Sequence, residues 1–215
     1  MKFRVLLQSL ALPFVSGVPL EFRSTAGVPT GLPADQISIN SVSTYGTGCP
    51  TTDSVSITLA DNNTVLTVGF NDFQTFVGPD IASSQSDKTC SISLNVYYPG
   101  GYTSAYLNAT YHGFAELDAG VSGNISSLYS FPGTIGSGAF SSTNTNINTG
   151  GVYLKADHIP LVSKVTSPCG RNATAVIRVR VKIGGSNSTL SGTLTDDDVS
   201  LVLTQQVHSG KTVCK

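Results

Sequence analysis

The sequence predicts an all-β protein: a single antiparallel β-sandwich, jelly-roll-like, with two disulfides. Three observations carry that expectation. Apolar and polar residues alternate over short runs, clusters of Gly, Pro, Asn and Asp separate those runs, and no stretch of ten or more residues has helical spacing with caps. Each such strand hides only one face, so two sheets must pack together to bury the apolar side.

Along the chain, MKFRVLLQSLALPFVSG places Lys2 and Arg4 before an apolar run and ends on the small residues Ser16 and Gly17. This is the pattern of a secretory signal peptide, expected over residues 1–17. The run is short and holds Gln8, Ser9 and Pro13, which argues against a spanning helix. Residues 18–36, rich in Pro and Gly without periodicity, read as an extended arm. The remaining stretch, 37–215, suits one β domain, since such domains run to about 200–250 residues.

Within it, ISINSV (37–42), SVSITL (54–59), TVLTVGF (64–70) and CSISLNVYY (90–98) carry an aliphatic residue at every second position. The turn-like ADNNT makes a hairpin of residues 54–70. PGTIGSGAFSSTNTNINTGG (132–151) is a polar, low-complexity stretch that reads as a long surface loop. AVIRVRVKI (175–183) alternates Val and Ile with Arg178, Arg180 and Lys182, a stripe of cations that suggests ligand binding but reads first as the solvent face of a strand whose cations guard against edge pairing. TLSGTL (189–194) and SLVLTQQV (200–207) complete the C-terminal sheet.

Charge narrows the partners. Twelve basic residues stand against thirteen acidic ones, a net of −1, interspersed rather than clustered. That gives no footprint for nucleic acid or an anionic membrane, and no later run approaches a membrane span. A secreted chain, extracellular and acting in a cell wall or host apoplast, is expected. In an oxidising compartment four cysteines read as two disulfides, for which three pairings exist. Antiparallel strands bring Cys49 to Cys90 and Cys169 to Cys214, and these are the expected bridges. Sequons at Asn62, Asn108, Asn124, Asn172 and Asn187 are candidate glycosylation sites, with Asn62 and Asn187 in the most turn-like surroundings.

Candidate chemistry is sparse. In YHGFAELDAGV (111–121), a strand would set His112 and Glu116 about 13 Å apart, too far to form an activating pair. Glu116 and Asp118, on one face about 7 Å apart, match a glycosidase separation that any i, i+2 acidic pair provides. Tyr98, Tyr102, Tyr106 and Tyr111 are candidate sugar platforms. The run Asp196, Asp197, Asp198 lacks the alternation and glycine turn of a calcium loop and reads as a solvated turn. No metal site is expected: the histidines are scattered and HExxH is absent. GxSxG and P-loop motifs are absent too, and no cofactor is expected.

STYGTGCP (43–50), VGFNDFQTFVGPD (68–80), KTCSISLNVYYPGGY (88–102), YHGFAELDAGV, SPCG (167–170) and the closing Cys214 together resemble DUF4360, a family of small secreted proteins common in filamentous fungi. The resemblance covers 37–215. It implies secretion and the fold, and supplies no catalytic residue. Near the end HSGKTVC departs from the pattern, which has an aromatic residue before the last cysteine.

The expectation for function is a noncatalytic extracellular interaction protein at a cell wall or host surface, a candidate effector or elicitor, with a cell-wall glycan or host extracellular protein as partner. The alternative is a carbohydrate-binding or carbohydrate-active protein, either lectin-like or a glycosidase using Glu116 and Asp118.

Overall fold

The alternating runs become twelve strands among the described residues. In chain order they are β1 (Ser38–Tyr45), β2 (Val55–Ala60), β3 (Val65–Phe70), β4 (Gln74–Val77), β5 (Asp87–Tyr97), β6 (Tyr102–Leu117), β7 (Val121–Ser130), β8 (Phe140–Ile147), β9 (Gly151–His158), β10 (Asn172–Gly185), β11 (Gly192–Thr195) and β12 (Asp198–Val207). The structure, a computed structural model, describes residues 38–60, 65–97, 102–132, 140–158, 167, 172–185 and 189–207. The expected leader (1–17) and arm (18–36), the sequons at Asn62 and Asn187, and Cys169 and Cys214 lie outside these residues.

The strands form an antiparallel β-sandwich. One sheet has the order β1-β5-β10-β7-β8. In the other, one edge of β6 pairs with β9, while β12 and β11 pair with β6 one after the other; β12 leads on to β3 and β2, and β11 to β4. The expected hairpin of residues 54–70 is β2 paired with β3.

Strand parity supplies the core. Ile92, Leu94, Ile177, Val179, Val181 and Ile125 point inward from the first sheet. Leu66, Val68, Ala115, Val199 and Leu201 meet them from the second. Burying each large aliphatic side chain is worth about 1.5–3 kcal/mol. Tyr111 and Tyr129 are fully buried on opposite sheets, and their hydroxyls meet at 3.2 Å, so the phenols bring a hydrogen-bond partner with them into the core.

The structure departs from three sequence expectations. The stretch 132–151 is not one long loop, because Phe140–Ile147 is a strand at the edge of the first sheet. Its composition hid it: backbone pairing with β7 needs no aliphatic residue, and only Thr145 and Ile147 are described as buried. β10 lies third of five in its sheet, so its cations protect no edge. Strand β11 begins at Gly192, later than TLSGTL suggested.

A disulfide joins Cys49 to Cys90 with a Cα–Cα distance of 5.2 Å across a sequence separation of 41. Both cysteines are wholly buried. Chain entropy puts the stabilisation at about 4 kcal/mol. A Cys49→Ala/Cys90→Ala double variant is therefore expected to lose about 2–4 kcal/mol in equilibrium denaturation. An unchanged midpoint would show that the bridge contributes nothing to the native state.

Candidate functional site

The stretch 111–121 runs from the second half of β6 through the turn before β7, with side chains alternating between core and surface along the strand. Tyr111, Gly113 and Ala115 turn inward, and His112, Phe114 and Glu116 face out from β6. His112 Nδ1 lies 2.6 Å from Asp198 Oδ1 on the neighbouring strand. The Phe114 amide donates to Thr195 Oγ1 at 3.0 Å, and the Tyr153 hydroxyl donates to the Thr195 carbonyl. At Gly113 a Cβ would stand 2.3 Å from both the Thr195 carbonyl and the Tyr153 hydroxyl, so no side chain fits there.

Glu116 and Asp118 do not share a strand face. β6 ends at Leu117, and Asp118 opens the turn into β7, its carbonyl accepting from the Val121 amide at 2.9 Å. The Asp118 carboxylate accepts from the Ser191 amide at 2.7 Å, while Glu116 stays exposed on the strand. One carboxylate is thus committed to holding a turn. Of the four tyrosines read as sugar platforms, Tyr111 is in the core; Tyr98 and the side chains of Tyr102 and Tyr106 lie outside the described residues.

The acidic run is not wholly solvated. Asp196 follows β11 on the parity of buried Leu194 and is 1% exposed, with neither carboxyl oxygen hydrogen-bonded. Its amide donates to the Phe73 carbonyl and that of Asp197 to the His112 carbonyl, so the ladder itself drives the side chain inward. Burial raises the Asp196 carboxyl well above its ordinary 3.8, and the charges of Asp198 and Asp197 add to the rise. Burial likewise pushes the Tyr153 phenol up, with Asp196 beside it. Among the described residues, no group of three His, Cys, Asp or Glu side chains could hold a metal ion.

A groove of about 740 Å³ opens on the outer face of the first sheet, within the usual range of about 300–1,000 Å³ for ligand sites. Tyr45, Pro50, Asp87, Thr89, Arg178 and Arg180 line it. Register builds it: Tyr45 lies opposite Ser91, and Ser91 opposite Arg178, across three adjacent strands. Two strand spacings put the Tyr45 and Arg178 backbones roughly 10 Å apart.

The lip of the groove is fixed. Gly46, at φ 144°, packs so closely that a Cβ would stand 2.0 Å from the Thr89 carbonyl. The Gly48 amide donates to that carbonyl at 3.0 Å, the Thr89 amide donates to Thr47 Oγ1 at 3.2 Å, and the disulfide closes the segment. Above it the Tyr45 ring is 83% exposed.

The two arginines differ in commitment. Arg180 grips Asp87 with a fork, Nε to Oδ1 at 2.8 Å and Nη2 to Oδ2. That contact holds the Asp87 carboxyl below its usual range and raises the guanidinium. Arg178 donates from Nε to Ser91 Oγ at 3.0 Å and has no carboxylate partner among the described residues. Sequence reading picked out the arginines but missed Tyr45, because only strand order reveals that it stands across from Arg178.

Three sequons have a described backbone. Asn124 donates its amide to Asn144 Oδ1 at 2.5 Å, Asn146 Oδ1 at 2.9 Å and the Thr145 carbonyl at 3.3 Å. Asn172 is exposed and accepts from Asn40 at 3.4 Å. Asn108 pairs within β6, and its side chain lies outside the described residues.

The model of a family described as a domain of unknown function, DUF4360, matches residues 35–214. A protein of Arthroderma benhamiae, named an uncharacterized secreted protein, is 33% identical over 178 residues, covering 81% of this chain and 70% of its own. Among solved structures, TmCBM61 in complex with beta-1,4-galactotriose is 14% identical with a TM-score of 0.28, over 79% of this chain and 91% of its own. The family 11 carbohydrate-binding module of cellulase Lic26A-Cel5E of Clostridium thermocellum is 11% identical with a TM-score of 0.26, over 77% and 89%. At these TM-scores no ligand transfers from either module to this chain. No helix among the described residues is long and apolar enough to cross a membrane.

Gly113→Ala is expected to destabilise the fold by about 1–3 kcal/mol through overpacking, read as a fall in denaturation midpoint. At Asp196 the folded-state pKa lies above the unfolded one, so its contribution to stability is complete below pH 3.8 and is lost as pH rises through the folded value. Over that window stability should fall by up to about 1.4 kcal/mol per pH unit for this one proton. Asp196→Asn should flatten the slope in a pH series of thermal melts; parallel wild-type and variant profiles would refute the assignment.

Proposed function

The chain belongs to the DUF4360 family and is a secreted protein, and from that premise we propose that it is a noncatalytic extracellular binding module acting at a cell wall or host surface. The observation that carries this reading is the groove, where a largely exposed tyrosine stands over a rigid lip beside an arginine without a carboxylate partner. Aromatic rings and arginines are the side chains that dominate recognition surfaces. The catalytic alternative has less support, since Asp118 is held by a backbone amide and does not converge with Glu116.

For modification, of the two sequons whose side chains are described, Asn172 is the favoured glycan carrier over Asn124. Asn172 is exposed, whereas the two N–H groups of the Asn124 amide nitrogen that a glycan would occupy are shared among three acceptors on β8.

The test is sedimentation with insoluble plant and fungal cell-wall preparations, following soluble sugar at the same time. Retention without sugar release is expected, weakened about 3–10-fold in Tyr45→Ala, the range an aromatic contact supplies. Retention unaffected by Tyr45→Ala would move the site away from the groove. Sugar release that disappears in Glu116→Gln would replace the binding reading with a catalytic one.

A further inference from the structure

Resting on the binding-module reading, we infer that the groove selects an acidic saccharide: Arg178 binds the carboxylate of a uronic acid unit whose ring lies against Tyr45. The charges on this face support it. Asp87 is already gripped by Arg180, and Lys182 lies directly across from it in register. A ligand in the groove therefore meets one neutralised pair and the uncompensated charge of Arg178, in a protein whose overall net charge is −1.

The guanidinium of Arg178 is also aimed. Its Nε is fixed on Ser91 Oγ, which leaves the terminal nitrogens to present a planar fork. Carboxylates match such a fork with two parallel hydrogen bonds. A sugar ring suits the remaining surface. Across roughly 10 Å between the Tyr45 and Arg178 backbones, the floor is Ser91, and Thr89 and Thr47 line the groove beside it. Hydroxyls of that kind exchange hydrogen bonds with sugar hydroxyls, while an exposed ring offers an apolar face to a pyranose. A peptide anchor would need a desolvated apolar pocket, and the lining supplies only Tyr45 and Pro50 as large apolar surface.

Calorimetric titration with an α-1,4-linked galacturonic acid oligomer, its fully methyl-esterified form and a sulfated dextran tests the assignment. The acidic oligomer should bind at least tenfold more tightly than its ester, less tightly as salt rises, and more tightly than sulfated dextran. Arg178→Gln should lose tenfold or more, and Arg178→Lys several-fold because it keeps charge without the fork. Both variants should melt with the wild type, since Arg178 is exposed.

Equal affinity for acid and ester, or full affinity in Arg178→Gln, would overturn the inference. Equal binding of sulfated dextran would assign the groove to anions in general and overturn the uronate choice. A protein retained on cell walls that binds neither oligomer would lose this inference and keep the module reading; one not retained at all would lose the module reading itself.

Discussion

The second sheet depends on one narrow passage, the edge of β6 at Gly113. There the backbone runs so close to the Thr195 carbonyl and the Tyr153 hydroxyl that a methyl group has no room. This contact lets one edge of β6 carry two strands in succession: β11 up to Thr195, then β12 from Asp198. The two residues between them reach in different directions for backbone partners, Asp196 to Phe73 and Asp197 to His112. Asp196 is placed inward by that arrangement, and its buried carboxyl is a cost of forming the junction. The neighbouring His112–Asp198 and Phe114–Thr195 contacts knit the same junction from the outer side.

Much of the architecture is legible in the sequence because half-buried strands must alternate. ISINSV, SVSITL and AVIRVRVKI each became the core of a strand, and the hairpin of 54–70 formed where ADNNT interrupts the pattern. Residues 140–147 escaped because an edge strand of Ser, Thr and Asn is bought by backbone pairing and amide contacts to Asn124, which leave no hydrophobic period to read. Asp118 was placed on a strand by parity alone, and parity stops where the chain bends. Asp196 has the opposite history: a run of three acidic residues looks solvated until one is held by pairing on a core-facing position.

The groove was the least legible feature. Arg178 and Arg180 are visible as a stripe, yet whether such a stripe is idle or useful depends on what stands across from it. Tyr45, Ser91 and Arg178 are brought into line only by the order β1-β5-β10, and sequence separation conceals that order. The difference between the arginines is equally a product of pairing. Arg180 has Asp87 within reach of its fork, and Arg178 has a serine.

The disulfide ties this surface to the history of the molecule. Cys49 and Cys90 close the same segment that forms the lip beside Tyr45, and without the bond two hydrogen bonds and the seat of Gly46 are left to hold it. A chain still reduced would carry every residue of the groove without its rigid wall, and ligand binding would then have to meet the ordering cost itself. Disulfides of this kind form in oxidising compartments. Export and the setting of the groove's wall thereby become one event, and a chain retained in the cytosol would keep that wall unfastened.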